Sequence, residues 1–273
     1  MYRASLIVAF YNRPDYLALL LAGLERQTFR NFEVIIADDG SNSQAVSEIH
    51  EMISFSPLKI QHVWQEDQGF RKNRILNRAI QKTCSEYLIF IDMDCIPHRE
   101  FIHEHLTHGR EGMCLTGRRV NLSAKISNRL SPDFIRQGYL ENHRWQLIWD
   151  GLLGESKDVE KGLYIKSNRI REWLNRKPRG ILGCNFSLHK KDILGINGFD
   201  ERYEAPSVGE DTDIQYRLEL NGIRIKSVNH MAIQYHLFHP PQPRSHENWV
   251  ILDRNKKSGQ AYTPFGIEKK IQT

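Results

Sequence analysis

The sequence predicts an α/β fold in which a mostly parallel sheet carries helices on both faces. Three observations lead there. The run Tyr87-Leu88-Ile89-Phe90-Ile91 is continuously apolar and rich in aromatic and β-branched side chains, as expected of a strand buried on both faces of a parallel sheet. A strand, a helix and a second strand follow one another within the first 40 residues, which is a βαβ unit. Finally, the apolar runs end in carboxylates, at Asp38-Asp39 and at Asp92-Met93-Asp94, and open α/β sheets collect ligands at the carboxyl ends of their strands.

In chain order, Ala4-Ser5-Leu6-Ile7-Val8-Ala9-Phe10 reads as the first strand, broken at Asn12-Arg13-Pro14. Pro14 and Asp15 suit a first helical turn, and Leu17, Leu20, Leu21 and Leu24 supply a core-facing stripe. Residues 32–37 form the second strand, and Asp38-Asp39-Gly40-Ser41 closes it with either a ligand-binding carboxylate or a capped turn. A helix through Ala45, Ile49 and Ile53 leads to a third strand over 58–64 and a polar loop over 65–70. Residues 71–83 are helical, with Ile75, Leu76, Ala79 and Ile80 on one face.

The fourth strand ends at Asp92-Met93-Asp94. On an extended strand, residues i and i+2 share a face, so both carboxylates are expected to approach one hard divalent cation, Mn²⁺ or Mg²⁺. Pro97 stops the strand from continuing. A helix over 99–108 and a short strand over 113–117 follow. The stretches 134–149 and 156–176 look like amphipathic helices within an insertion. There Trp145, Trp149, Tyr164 and Trp173 and neighbouring cations either line an acceptor groove or belong to an ordinary helical excursion. Residues 183–188 read as a strand. Glu210-Asp211 opens a helix through Ile214 and Leu218, and those acids have a plain alternative as N-terminal caps. His236 and His239 follow a short strand. Residues 244–273 look polar and weakly periodic, a tail folding over the ligand.

The 273-residue chain is long enough for one large domain, divided as 1–117, 118–182, 183–243 and 244–273. A net charge of +5 suits an anionic ligand or an acidic membrane surface, and no nucleic-acid partner is expected. No apolar run reaches the roughly 20 residues of a membrane span. The N-terminus leads directly into a strand, so no signal peptide is expected. Four cysteines without paired spacing predict reduced thiols, and hence a cytoplasmic chain that could associate with the inner face of the membrane.

These motifs carry a resemblance. Ala9-Phe10-Tyr11-Asn12, Gln27-Thr28-Phe29, the run from Phe32 into Asp38-Asp39-Gly40-Ser41, Gly69-Phe70-Arg71-Lys72-Asn73-Arg74 and Asp92-Met93-Asp94 together resemble the opening of family 2 glycosyltransferases. Those are inverting enzymes of the GT-A fold that use nucleotide sugars. The segments Asn197-Gly198-Phe199 and Gly209-Glu210-Asp211 are similar to the C-terminal part shared by galactosyltransferases and chondroitin-type bacterial polymerases. Ala205-Pro206-Ser207-Val208 departs from the usual aromatic-glycine lead-in there.

The resemblance implies a UDP-sugar donor and a glycan or lipid-linked glycan acceptor. It places Ala9, Tyr11, Asn12, Asp39, Arg71, Asp92 and Asn185 at the substrate, and it favours Asp39 over Asp38 for the base. It also makes Asp94 a metal ligand, completed by His236 or His239, and puts the catalytic base at Asp211 beside Glu210. Two rival readings of the same residues are a metal-dependent nucleotide-sugar hydrolase and a non-catalytic glycan-binding module.

Overall fold

The computed structural model describes residues 2–177, 179–206, 211–240 and 245–269. Its strands are β1 (Ala4–Phe10), β2 (Phe32–Asp38), β3 (Ile60–Trp64), β4 (Tyr87–Asp92), β5 (Cys95–Pro97), β6 (Met113–Thr116), β7 (Arg118–Asn121), β8 (Asn185–His189), β9 (Arg224–Ser227) and β10 (Ile233–His236). The larger helices are α1 (Pro14–Leu24), α2 (Ser43–Phe55), α3 (Lys72–Lys82) and α4 (Phe101–His108). Five short ones follow, α5 (Ala124–Ser127), α6 (Pro132–Arg136), α7 (Tyr139–Asn142), α8 (Arg144–Leu152) and α9 (Asn168–Leu174), and then α10 (Lys190–Gly195), α11 (Asp211–Leu220) and α12 (His246–Ser258).

Seven strands form one sheet in the order β3-β2-β1-β4-β8-β6-β9. The β3-β2-β1-β4 half is parallel, and β8 runs antiparallel between β4 and β6. This is the expected mixed α/β architecture. Leu6, Ile7 and Val8 of β1 and Leu88 and Ile89 of β4 are fully buried, because helices cover both faces. On one face lie the leucines of α1, on the other Ile75, Leu76, Ala79 and Ile80 of α3. No helix among the described residues is long and apolar enough to cross a membrane.

The insertion differs from expectation. In place of two amphipathic helices over 134–149 and 156–176, it holds α6 to α9, a 3-10 turn at Val159–Gly162, and β7 ahead of them. Gly138 explains the first break, since its φ of +79° is left-handed and ends any continuous helix there. The second stretch begins with a bridge between Lys157 and Asn121, which holds its start extended. The C-terminal residues also differ, because α12 is a regular 13-residue helix against α11. It was hard to read because its main anchors are amides. Leu252 is fully buried, but Asn248 donates to Ala205 O and Asn255 to Asp213.

Buried asparagines also stitch the two ends of the chain together. Asn77 of α3 donates to Phe199 O at 2.8 Å and accepts from Phe199 N at 2.8 Å, while Asn73 donates to Asp200 O. Asn197, in the same turn, bonds Thr263 O and both the N–H and C=O of Glu268. The turn needs Gly198 at φ +73°, where a Cβ would lie 2.4 Å from Asn77 Oδ1. Asn77→Ala should therefore strand a buried N–H and a buried C=O, costing roughly 2–4 kcal/mol. Urea unfolding monitored by circular dichroism should show the midpoint falling with the slope unchanged. An unchanged midpoint would mean that the turn is held by other contacts.

Candidate active site

The strand carrying Asp92 stops there, and Met93 and Asp94 form a tight turn into β5. The i, i+2 argument therefore fails. Asp92 and Asp94 leave the strand end in different company. Asp92 accepts a hydrogen bond from Lys72 Nζ at 2.8 Å, whereas Asp94 faces the other sheet.

That second sheet, β5-β10-β7, builds the metal-type cluster. β10 pairs antiparallel with β5, placing His236 opposite Cys95, and the Leu237 N–H donates to Asp94 O at 2.8 Å. Asp94 Oδ2 lies 3.3 Å from His236 Nε2 and 3.1 Å from His239 Nε2, and the two Nε2 atoms are 3.2 Å apart. Both histidines, rather than one, reach the aspartate.

His239 Nδ1 sits 2.8 Å from Pro240 O, so it carries the proton. Nε2 of a neutral His239 then points a lone pair at a carboxylate and at a second imidazole. Such a donor set is repulsive unless a cation occupies it. Without a metal that cation is a proton. Burial alone would raise the Asp94 carboxyl, but hydrogen bonds from His236 and His239 override it and hold it well below the usual range. The hydrogen bond to Asp94 in turn raises His239 against its desolvation. One carboxylate and two imidazole nitrogens, one ligand atom from each residue, form a donor set that can hold a divalent metal ion.

The two aspartates closing β2 are separated by their partners. Asp38 is fully buried and accepts from Ser41 N and Oγ at 2.9 and 2.6 Å, with His62 Nε2 at 2.9 Å. It is a turn brace. Asp39 accepts from Gln65 Nε2 at 2.6 Å and from the Arg71 N–H at 2.8 Å, one bond on each oxygen. Burial pushes its carboxyl up to about 6, against the lowering effect of those two bonds. Such a carboxylate has lone pairs to spare and gains from a further donor.

The remaining expected substrate residues divide. Ala9 stands level with both Ala37 and Asp92 in the sheet, and its carbonyl accepts from Met93 N. Tyr11 is exposed, its hydroxyl donating to Asp67 at 3.1 Å. The Arg71 side chain reaches Glu204 at 3.1 Å, linking the loop beside Asp39 to the segment before α11. Asn12 is partly committed, because its Oδ1 accepts from the Asn42 N–H at the start of α2. Asn185 requires correction as a substrate contact. It is fully buried, its Oδ1 faces His105, and its amide donates to Arg118 O and Ala232 O. It braces β8 against β7 and β10.

Asp211 is the first residue of α11, and among the described residues only its Oδ1 is engaged, by Thr212 N and Oγ1. Glu210 lies outside the described residues. Asp213, two residues on, is fully buried against Arg217, Tyr203 and Asn255 and is structural. Sequence reasoning missed Lys72, Gln65 and Asp67 as neighbours of these carboxylates. The polar loop over 65–70 was the available signal.

The model of the Glycosyl transferase family 2 family matches residues 5–168, and that of the N-terminal domain of galactosyltransferase matches residues 172–240. Over 98% of its length the chain is 26% identical to a chondroitin synthase of Escherichia coli and 27% identical to a hyaluronan synthase of Pasteurella multocida. It spans only 38% and 27% of those two proteins. Among solved structures, S. aureus TarS 1-349 aligns over 94% of this chain and 65% of its own, with TM-score 0.58 and 18% identity. The mannosyltransferase PcManGT of Pyrobaculum calidifontis, in complex with GDP-Man and Mn²⁺, covers 93% of this chain and 61% of its own, with TM-score 0.58 and 15% identity. With more than half its length matched by the family model, the chain is a glycosyltransferase of family 2 on a GT-A fold.

Proposed function

We propose that this chain transfers a sugar from a UDP-sugar to a glycan acceptor, free or lipid-linked, with metal dependence and inversion, in the synthesis of a surface or capsular polysaccharide. The observation that carries the reading is the convergence of Asp94, His236 and His239 just past the end of β4, with only β1 between it and β2, the strand that leads to Asp39. Support comes also from the relatives' names, chondroitin and hyaluronan synthase, and from TarS, a structural neighbour solved with UDP-GlcNAc.

Asp94, His236 and His239 would hold the metal ion, which when bound neutralises the charge of the leaving diphosphate. Asp39 accepts a hydrogen bond from the N–H of the base, and the exposed Tyr11 flanks it. Asp92, steadied by Lys72, faces the donor's ribose or sugar. Asp211 Oδ2, unengaged among the described residues, takes the proton of the acceptor hydroxyl. That oxygen forms its bond to the anomeric carbon as the bond to the diphosphate breaks. No covalent enzyme intermediate forms. Trp145, Trp149 and Trp173, each more than 60% exposed on α8 and α9, offer faces on which the acceptor's sugar rings stack.

Three outcomes follow. EDTA should abolish transfer and Mn²⁺ restore it, and Asp94→Ala should stay folded while losing Mn²⁺ binding in calorimetry. Undiminished turnover by metal-free protein would refute the metal's role. Since protonation silences Asp39 as a charged acceptor below about pH 6, UDP affinity should fall about tenfold between pH 7.5 and 5. The folded pKa is raised, so this group's contribution to stability is full below about pH 4 and is lost as pH rises through 6. The ionised form that the uracil needs is therefore the one that burial disfavours, and Asp39→Asn should flatten the affinity profile. Finally, Asp211→Asn should leave UDP and Mn²⁺ affinity within a few-fold while transfer falls by roughly 10²–10⁴. Near-normal transfer would place the base elsewhere, and parallel loss of donor binding would make Asp211 a helix cap.

A further inference from the structure

Beyond the Asp39 and Asp94 clusters, a cleft of about 230 Å³ opens between α11, α12 and residues 260–265. Its walls include Arg202, Arg217, Arg254, Asn255, Gln260 and Thr263; among the described residues no carboxylate lines it, Asp200 and Asp213 lying behind the side chains they pair with. We propose that this cleft binds an oxyanion: a carboxylate, sulfate or phosphate group, borne by a sugar or free in solution.

The floor supplies the main observation. Arg217 is 1% exposed, and its Nε donates to Asp213 at 2.7 Å. Its Nη1 donates to Ile196 O and Gly198 O, both at 2.9 Å. Nη2 is the nitrogen left over, buried and without an acceptor among the described residues. Buried guanidinium N–H groups seldom go unmatched, because their desolvation is then uncompensated. An oxygen in the cleft would match it.

Charge agrees with this. Arg217 is balanced by Asp213 and Arg202 by Asp200, but Arg254 makes no ion pair among the described residues, leaving the cleft one cation in excess. Arg202 is also fixed in place, its guanidinium 4.1 Å from the Phe265 ring centroid and bonded to Asn255 Oδ1. Planar, oriented guanidinium groups recognise oxyanions by paired hydrogen bonds. The side-chain amide of Gln260 is a neutral donor nearby, whereas the Ser258 hydroxyl is spent on Asn255 O. This inference does not rest on the transfer reaction proposed above.

Calorimetric titration of the full chain with inorganic phosphate, sodium glucuronate and glucose, at ionic strength fixed by NaCl, tests it. Saturable binding is expected for phosphate, glucuronate or both, and none for glucose. The tighter of the two anions identifies the source as a free phosphate-type ion or a uronate-bearing glycan. Arg254→Gln, on the exposed rim, should weaken that binding about tenfold while leaving UDP affinity and melting temperature unchanged. Arg217→Lys keeps a cation beside Asp213 but lacks Nη2, and wherever it melts cooperatively it should lose the anion. Absence of saturable binding by either anion, or an Arg254→Gln protein that binds as tightly as the wild type, would overturn the proposal.

Discussion

The antiparallel pairing of β5 with β10 is the constraint on which the site depends. β4 ends at Asp92, and the turn at Met93 and Asp94 redirects the chain so that Cys95–Pro97 can pair with Ile233–His236. β10 has β5 on one side and β7 on the other, so its ladder groups are committed and its register is fixed. A slip of one residue would turn His236 to the opposite face and away from Asp94. Pro97 is tolerated because it falls between bonding positions of the ladder, the His98 N–H just beyond it donating to Ile233 O at 3.0 Å. Beneath the pair, Gln234 donates to the sulfurs of Cys95 and Cys184, and burial raises the Cys95 thiol well above its ordinary value. The Cys95 thiol stays protonated, and both sulfurs serve as packing under the Asp94 cluster.

The acidic residues divide by what surrounds them. Asp38, Asp200 and Asp213 are fully buried and spent on arginines, hydroxyls or a histidine, and removing any one partner would leave an uncompensated charge. Asp39, Asp94 and Asp211 each retain acceptor capacity or a repulsive neighbour that a ligand would relieve. Function therefore sits where the internal accounting of charge and hydrogen bonds is incomplete, and stability where it closes.

The insertion is seated on an apolar cluster through Ile126, Ile135, Leu140 and Leu147, and polar contacts tie down its far side and the C-terminal helix. Glu104 of α4 ties the insertion down through Arg171 at 2.7 Å and the Tyr164 hydroxyl, and against burial the hydrogen bonds from His108, Tyr164 and Arg171 hold its carboxyl at about 2. α12 is held by Asn248 and Asn255. Such attachments leave much apolar surface uncovered: Trp145, Trp149, Leu152 and Leu153 of α8 and the residue after it are 66–75% exposed.

The sequence alone determined the parallel half of the sheet. Its strands are buried on both faces, so their apolar runs carry the signal without reference to anything distant, and β1, α1, β2 and β4 emerge within a residue or so of their predicted bounds. The carboxylates at strand ends were legible for the same reason, as was the helix starting at Asp211. Only the tertiary structure decided what each carboxylate does. Asp38 and Asp39 are adjacent and identical in chemistry, and it is Ser41 and His62 on one side, and Gln65 and Arg71 on the other, that distinguish them. Asp92 and Asp94 parted because a turn replaced a strand, and both histidines reached Asp94 because strands 140 residues apart in sequence pair in one register. Asn185 looked like a ligand contact and became a brace, since three carbonyl or imidazole partners from separate strands and α4 surround it. Local pattern fixes elements because burial repeats along the chain. Partners of buried polar groups are set by long-range pairing, which leaves no periodic trace in the sequence.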